Sequence, residues 1–338
     1  MITASDKGGL DAAAVAAAAL APFQLVRREL ASVERELDQS NHCDVASIAA
    51  IGRHLQHSGG KRIRAALVLL AARQAGCGEA PRVRLAAVVE MIHAATLIHD
   101  DIIDDAPTRR GQPSANARWG NPRSVLAGDW LYMQAFRLAL GERHFGVLDA
   151  LIALTQTMVE GELLQLEMQH RVVTAAEHLE LIERKTARLF DIAAQLGAMA
   201  AGRIEWLRPL SLFGGHLGRA FQMVDDLLDL TSSASLLGKP AGSDLREGKM
   251  TLPLIYAFER ADKSGRELLE RAVQPGGCTE TVWSEVLQLA DATGGLERAR
   301  EESRRQAQAS LAALEQLPDS PERQALAQLP ALVVERTH

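Results

Sequence analysis

Residues 97–111 read LIHDDIIDDAPTRRG and hold four aspartates, Asp100, Asp101, Asp104 and Asp105, within six positions. On a helix Asp100 and Asp104 lie one turn apart, as do Asp101 and Asp105, and His93 sits two turns before Asp100 on nearly the same face. Like charges at that spacing repel, and the C-terminal end of a helix already carries partial negative charge, so the cluster asks for a bound cation. One acidic tetrad at a helix end is often no more than a solvated turn. A second set changes the weighing: residues 221–230 read FQMVDDLLDL, placing Asp225, Asp226 and Asp229 in the same D-D-x-x-D spacing. Leu217, Ala220, Phe221, Val224, Leu227 and Leu228 form an apolar stripe on that helix, and Gln222 joins the aspartates on the other face. Carboxylates left unpaired on two facing helices are a local cost that marks a functional site.

The donor chemistry narrows the cation. Zinc and other soft metals want Cys or His, which neither set supplies in number. The calcium loop with alternating acids and a central glycine is missing, while single carboxylates from separate helices suit Mg2+ completed by water and substrate phosphates. A diphosphate substrate follows, and basic residues stand where it would need them. Lys61, Arg62 and Arg64 follow a glycine pair in SGGKRIR, Arg109 and Arg110 follow the first acidic set, and Lys239 and Lys249 follow the second. Arginine grips phosphate with two donors and lysine brings a mobile point charge. GGKR is not a P-loop, because G-x-x-x-x-G-K-[ST] is lacking.

These residues need helices to carry them, and the apolar spacing is helical almost throughout, with few β-branched or aromatic runs of strand type. The expected fold is all-α. The first acidic set falls on a helix expected over 84–105 and stopped by Pro107. Breaks are expected at 59–60, 76–81, 107–122, 208–209, 238–248, 275–277 and 318–321. They separate helices within one domain spanning 1–338, since no Pro/Ser-rich linker or fixed-period repeat divides the chain. The 338 residues, 47% of them apolar, can bury a large core. A net charge of −6 gives no basic face for nucleic acid. Cys43, Cys77 and Cys278 have neither metal-site nor disulfide-framework spacing, which fits a reducing cytoplasm. The alanine run over 12–21 continues into a charged amphipathic stretch and is read as helix, not as a targeting signal. No apolar run reaches the roughly 18 to 20 residues of a membrane span, so no membrane insertion is expected.

Taken in order, GGKRIR, HAATLIHDDIIDD, RRGQPSAN, GDWLYMQAF, EGELLQL, KTARLF, GRAFQMVDDLLD and LGKPAGSDLREGKMTLPL resemble the trans-isoprenyl diphosphate synthases over almost the whole chain, most closely the bacterial octaprenyl type. That resemblance implies an isoprenoid synthase-type helical bundle around a deep central cavity, working as a homodimer. It implies that Asp100, Asp101, Asp104, Asp225, Asp226 and Asp229 hold Mg2+, three ions per site, with Asp244 assisting. It also implies that Arg109, Lys185, Thr186, Gln222, Lys239 and Lys249 meet an allylic prenyl diphosphate, with Lys185 in the catalytic set, and that Lys61, Arg64, His93 and Arg110 bind isopentenyl diphosphate. Departures are few: Ala65 replaces a usual proline, and Asp105 extends the first set. His99 and Arg336 receive no role.

The implied reaction is Mg2+-dependent sequential condensation of isopentenyl diphosphate with a farnesyl or geranylgeranyl primer. Product length should follow the depth below Asp100. Thr96 lies one turn down, Ala95 flanks it and Ile92 lies two turns down, so no aromatic ring stops the tail at that level. A long, octaprenyl-length product for quinone side chains is expected, with Leu138 and Leu151 as candidates for the floor. Shorter farnesyl or geranylgeranyl synthesis is the alternative. A terpene cyclase would need no isopentenyl site and would replace the second D-D-x-x-D, a noncatalytic subunit would lose one acidic set, and a purely structural protein would keep neither.

Overall fold

The computed structural model describes residues 22–57, 62–109, 111–232 and 241–335, and nearly every run with helical spacing in them is a helix. In chain order these are α1 (Arg27–Ser40), α2 (Ala46–His57), α3 (Ile63–Gln74), α4 (Glu79–Ile103), α5 (Ala115–Trp119), α6 (Asn121–Gly141), α7 (Phe145–Met168) and α8 (Ala175–Ile182). A π-helical turn, Glu183–Ala187, joins α8 to α9 (Arg188–Ala200), and a 3-10 turn, Ile204–Trp206, leads into α10 (Leu207–Thr231). After these come α11 (Ser243–Arg246), α12 (Leu252–Arg260), α13 (Lys263–Ala272), α14 (Glu280–Ala292), α15 (Gly295–Leu314), α16 (Pro321–Leu326) and α17 (Leu329–Val334). The strands among the described residues are β1 (Thr108–Arg109) and β2 (Gln112–Pro113), an antiparallel pair just past the first acidic set. Among the described residues no helix is long and apolar enough to cross a membrane.

The core is built around α3, whose residues from Ala65 to Ala72 are all buried, as expected of a helix that is apolar on every side. Helix α9 packs on it so closely that a Cβ at Gly197 would stand 2.2 Å from the Cα of Ala72. Helices α4 and α10, 25 residues and about 37 Å each, frame this centre and bring both acidic sets to one end of the bundle. A second apolar cluster joins Leu252, Leu254, Leu269, Val286 and Ala299 of α12–α15 to Met223, Leu227 and Leu230 of α10. Helix α10 therefore belongs to both clusters, since Leu217, Ala220 and Val224 face the first.

Two boundaries differ from the sequence expectation for the same reason. Helix α4 begins at Glu79, with Pro81 in its first turn, and α10 begins at Leu207, with Pro209 in its first turn. The first turn has no intrahelical partner for its N–H groups, so proline costs nothing there. At the other end α4 stops at Ile103 rather than at residue 105: Asp104 caps it and Asp105 turns left-handed at φ 47°. Asp105 therefore does not stack over Asp101 as a helix would have it.

Candidate active site

Two cavities meet at Asp100. One, about 270 Å3, is a polar chamber lined by Asp100, Arg109, Lys185, Thr186, Gln222, Asp226, Asp244 and Lys249, with Gln165 and His178. The other, about 400 Å3, is lined by Arg64, His93, Asp100, Lys185, Gln222 and Asp225, with Thr96, Tyr132, Met158, Leu189 and Phe221 forming an apolar wall. The acidic ends of α4 and α10 thus share both spaces, as the paired D-D-x-x-D spacing anticipates.

In the first acidic set Asp100, Asp101 and Asp104 each meet a different cation. Asp101 is 1% exposed and accepts from Arg109 Nε at 2.6 Å; its other oxygen is buried with no hydrogen-bond partner. Lys249, from the loop after the second set, reaches across to Asp104 at 2.8 Å and also meets Glu247 at 2.6 Å. The basic loop of one acidic set therefore neutralises the other. Burial lowers the Lys249 pKa, but Asp104 and Glu247 outweigh it and hold the ammonium above the ordinary lysine value. Lys185 lies 4.0 Å from Asp100, 2.5 Å from Glu162 and 3.0 Å from Gln165. Burial pushes the Asp100 carboxyl up to about 7, with Glu162 and Asp104 adding to the rise against Lys185 and Arg109.

Lys185 and Thr186 sit in the π-helical turn, a geometry that widens the helix and re-aims its side chains. The turn lies against α7 because Gly161 has no side chain; a Cβ there would be 3.0 Å from the Lys185 nitrogen. Thr186 donates to Gln222 at 2.7 Å, and Gln222 donates to Asp226 at 2.9 Å. The other oxygen of Asp226 lies 2.8 Å from His178 Nε2, and both residues are buried. Asp229, also buried, accepts from the Ser243 hydroxyl at 2.8 Å and the Asp244 N–H at 3.3 Å. Asp225 instead lines the larger cavity.

Arg64 enters that larger cavity from the first turn of α3, with Nη1 3.2 Å from His93 Nε2 and its guanidinium over Phe190 at 4.8 Å and Phe221 at 5.3 Å. Arg62, expected from the sequence to join it in binding phosphate, turns away to Glu34 and Glu90. Lys61, Arg110 and Lys239, together with the alanine run and Arg336, lie outside the described residues.

Of the five depth residues Thr96 alone lines either of the two cavities that meet at Asp100. Ala95 is on the other side of α4, buried with Ile51, Ile98 and Leu131, because adjacent helical residues diverge by about 100°. Ile92 and Leu151 are fully buried in the first core cluster and the half-buried Leu138 packs against it; none of the three lines either cavity. Glu162, Gln165 and His178 are the site neighbours that sequence reasoning passed over. Glu162 and Gln165 do leave a trace, as polar residues three apart on one face of α7.

Among the described residues no three carboxylate, imidazole or thiol side chains converge into a ready metal cage. What the chain offers is hard oxygen donors on two facing helix ends, one buried carboxylate oxygen with no hydrogen-bond partner, and a carboxyl whose ionisation burial disfavours. That set fits a cation of the Mg2+ type whose remaining positions are filled by water and phosphate.

Comparison with known proteins agrees with the fold and the motifs. Residues 45–290 match the polyprenyl synthetase family model. The chain is 39% identical to the all-trans-nonaprenyl-diphosphate synthase (geranyl-diphosphate specific) of Rhodobacter capsulatus, over 92% of this chain and 96% of that protein. It is 38% identical to octaprenyl diphosphate synthase of Escherichia coli, over 93% of this chain and 97% of that one. Its structure resembles that of a polyprenyl synthase from Caulobacter crescentus complexed with calcium and isoprenyl diphosphate, with a TM-score of 0.90 and 37% identity over 95% of this chain and 98% of that one.

Proposed function

The chain belongs to the polyprenyl synthetase family, a family of prenyltransferases, and we propose that it is a long-chain all-trans polyprenyl diphosphate synthase. It condenses isopentenyl diphosphate repeatedly with a farnesyl or geranylgeranyl primer to about octaprenyl length, as the tail of a quinone. The observation that carries this reading is the position of Asp100 and Lys185 between a polar chamber and a larger cavity with an apolar wall. A diphosphate fits the first space, and a second diphosphate with a growing hydrocarbon fits the other. The octaprenyl and nonaprenyl relatives support the length.

Arg109, Lys185 and Lys249 hold the allylic diphosphate in the polar chamber, with Thr186 and Gln222 ordering the second acidic set beside it. Asp100, Asp101, Asp104, Asp225, Asp226 and Asp229 are the proposed holders of Mg2+, with Asp244 assisting, and the calcium in the C. crescentus complex supports a divalent cation here. When bound, Mg2+ supplies charge that stabilises the departing diphosphate. These cationic side chains do the same from fixed positions, so the allylic carbon–oxygen bond ionises without a protein nucleophile. Arg64 and His93 hold isopentenyl diphosphate so that its double bond attacks the allylic cation. The proton then lost restores an alkene, with the released diphosphate as base. The apolar wall from Thr96 to Leu189 keeps water from the cation and receives the tail.

The homodimer belongs to the same proposal. On α6, Leu126, Met133 and Leu140 are exposed at intervals of seven, and on α7 so are Phe145, Ile152, Val159 and Leu166. Two adjacent heptad stripes of bare apolar side chains are what a second pair of helices would cover. Cytoplasmic placement is supported by Cys43, Cys77 and Cys278, all free thiols. The sharing of α10 between the two apolar clusters supports one domain over 1–338.

A geranylgeranyl-length product is the second reading. Ile92, one turn below Thr96, and Leu154, one turn below Met158, are fully buried and line neither cavity, so little open depth is left beneath Thr96 and Met158. Mass spectrometry of products from purified protein, Mg2+, isopentenyl diphosphate and farnesyl diphosphate, against a chelated control, separates the readings. Metal-dependent polyprenyl diphosphates of about octaprenyl length are expected. Products ending at geranylgeranyl length select the second reading, and absence of elongation with any allylic primer overturns both.

A further inference from the structure

Two arginines two residues apart leave the start of α3 in opposite directions. Arg64 goes into the larger cavity to His93; Arg62 goes to Glu90 and Glu34 and lines neither of the cavities meeting at Asp100. The divergence is set in the backbone. Arg62 has φ 46°, a left-handed conformation that a side chain-bearing residue adopts only when its surroundings hold it there.

Glu90 supplies the hold. It is 6% exposed on α4, one turn before His93, and each of its oxygens is used. Oε1 accepts the backbone N–H of Ala65 at 3.1 Å, and Oε2 accepts from Arg62 Nη1 at 3.1 Å. Ala65 is the third residue of α3, so this N–H is one of the donors that a helix start leaves without a partner. Arg62 itself supplies no side-chain cap to α3. One carboxylate from α4 thus caps α3 from outside and clamps the residue that precedes it. Glu34 of α1 completes the clamp, accepting from Arg62 Nε at 2.6 Å and Nη2 at 3.1 Å. Glu90 and His93 lie on one face of α4 and receive Arg62 and Arg64, so a single helix face reads the entry of α3 at two points.

We propose that Glu90 is a positioning residue for isopentenyl diphosphate, acting through Arg62 and the first turn of α3 to aim Arg64 into the cavity. This rests on the reading of Arg64 and His93 given under the proposed function. Glu90 touches neither acidic set, so its influence falls on one substrate.

The test is steady-state kinetics of Glu90→Gln with each substrate varied separately. Glutamine keeps an acceptor for the Ala65 N–H and removes the charge that holds Arg62. The KM for isopentenyl diphosphate should rise about tenfold, the size expected when a binding group is misaimed by a fraction of an ångström, with kcat and the allylic KM within about twofold. Glu34→Gln, on the half-exposed side of the same clamp, should give a smaller rise of the same kind and serves if Glu90→Gln fails to fold. A rise in both KM values together, a fall in kcat alone, or wild-type constants in both variants would overturn the proposal. Absence of elongation by the wild-type enzyme would instead overturn the functional reading, so the two failures are distinct.

Discussion

Asp100 carries the largest consequence of any one side chain, because it faces both cavities and its ionised form is disfavoured by burial. Asp100→Asn keeps its shape and removes its charge, and kcat/KM should fall by about 10²–10³-fold with unchanged circular dichroism. Turnover near the wild-type value would remove Asp100 from the proposed metal-holding set. Asp191 gives a prediction of a different kind, away from that set. It is buried on α9, and desolvation raises its pKa against Ser211, Arg188 and Gln195, which lower it. A carboxyl whose folded pKa exceeds its unfolded value costs stability once pH climbs from the unfolded pKa through the folded one. Asp191→Asn should therefore gain stability relative to wild type between pH 4 and pH 7. Denaturant midpoints that move together across that range would disprove it.

Helix contacts set the next scale. Helix α9 meets α3 where Gly197 lies on Ala72, and a methyl group at Gly197 would press on the Cα, Cβ and N of Ala72, none of which can swing aside. Gly197→Ala should cost about 1–3 kcal/mol, the range for overpacking, read as a lower urea midpoint with an unchanged slope. On α4 the side facing the larger cavity runs from Ile103 through Asp100 and Thr96 to His93, and Ile92 beyond Thr96 is buried core. Thr96→Phe places a ring in the remaining gap between α4 and α7. Its products should be shorter than those of wild type by several isoprene units, with elongation retained. An unchanged product profile would show that the tail does not pass Thr96.

For the whole molecule, the α6–α7 face is the outstanding feature, gathering most of the exposed large apolar side chains among the described residues at heptad spacing. A dimer in sedimentation velocity is expected for the wild-type protein, and Met133→Glu with Val159→Glu should shift it to monomer by burying two like charges where the stripes meet. A wild-type monomer at micromolar concentration would refute the assignment. The pairing also bears on the cavity, since Val159, Leu163 and Leu166 are lining residues and exposed ones at once.

Periodicity and spacing by themselves determined the all-helical fold, the two acidic sets and the hard oxygen chemistry between them. These follow from neighbours within a turn or two, where the geometry of a helix is fixed before any packing. Tertiary structure decided the pairings. That Lys249 would neutralise Asp104 rather than stay with its own acidic set is a contact across 145 positions, invisible to local pattern. The divergence of Arg62 from Arg64 depends on a left-handed residue held by Glu90 and Glu34 from two other helices. His178 of α8 meets Asp226 of α10 across 48 positions, again a contact no local pattern shows. The depth residues show the same limit: Ile92 and Leu151 read as candidate tunnel positions, and close packing made them core. Which side chain fills a space between helices depends on all the helices around it, and no single stretch of sequence holds that information.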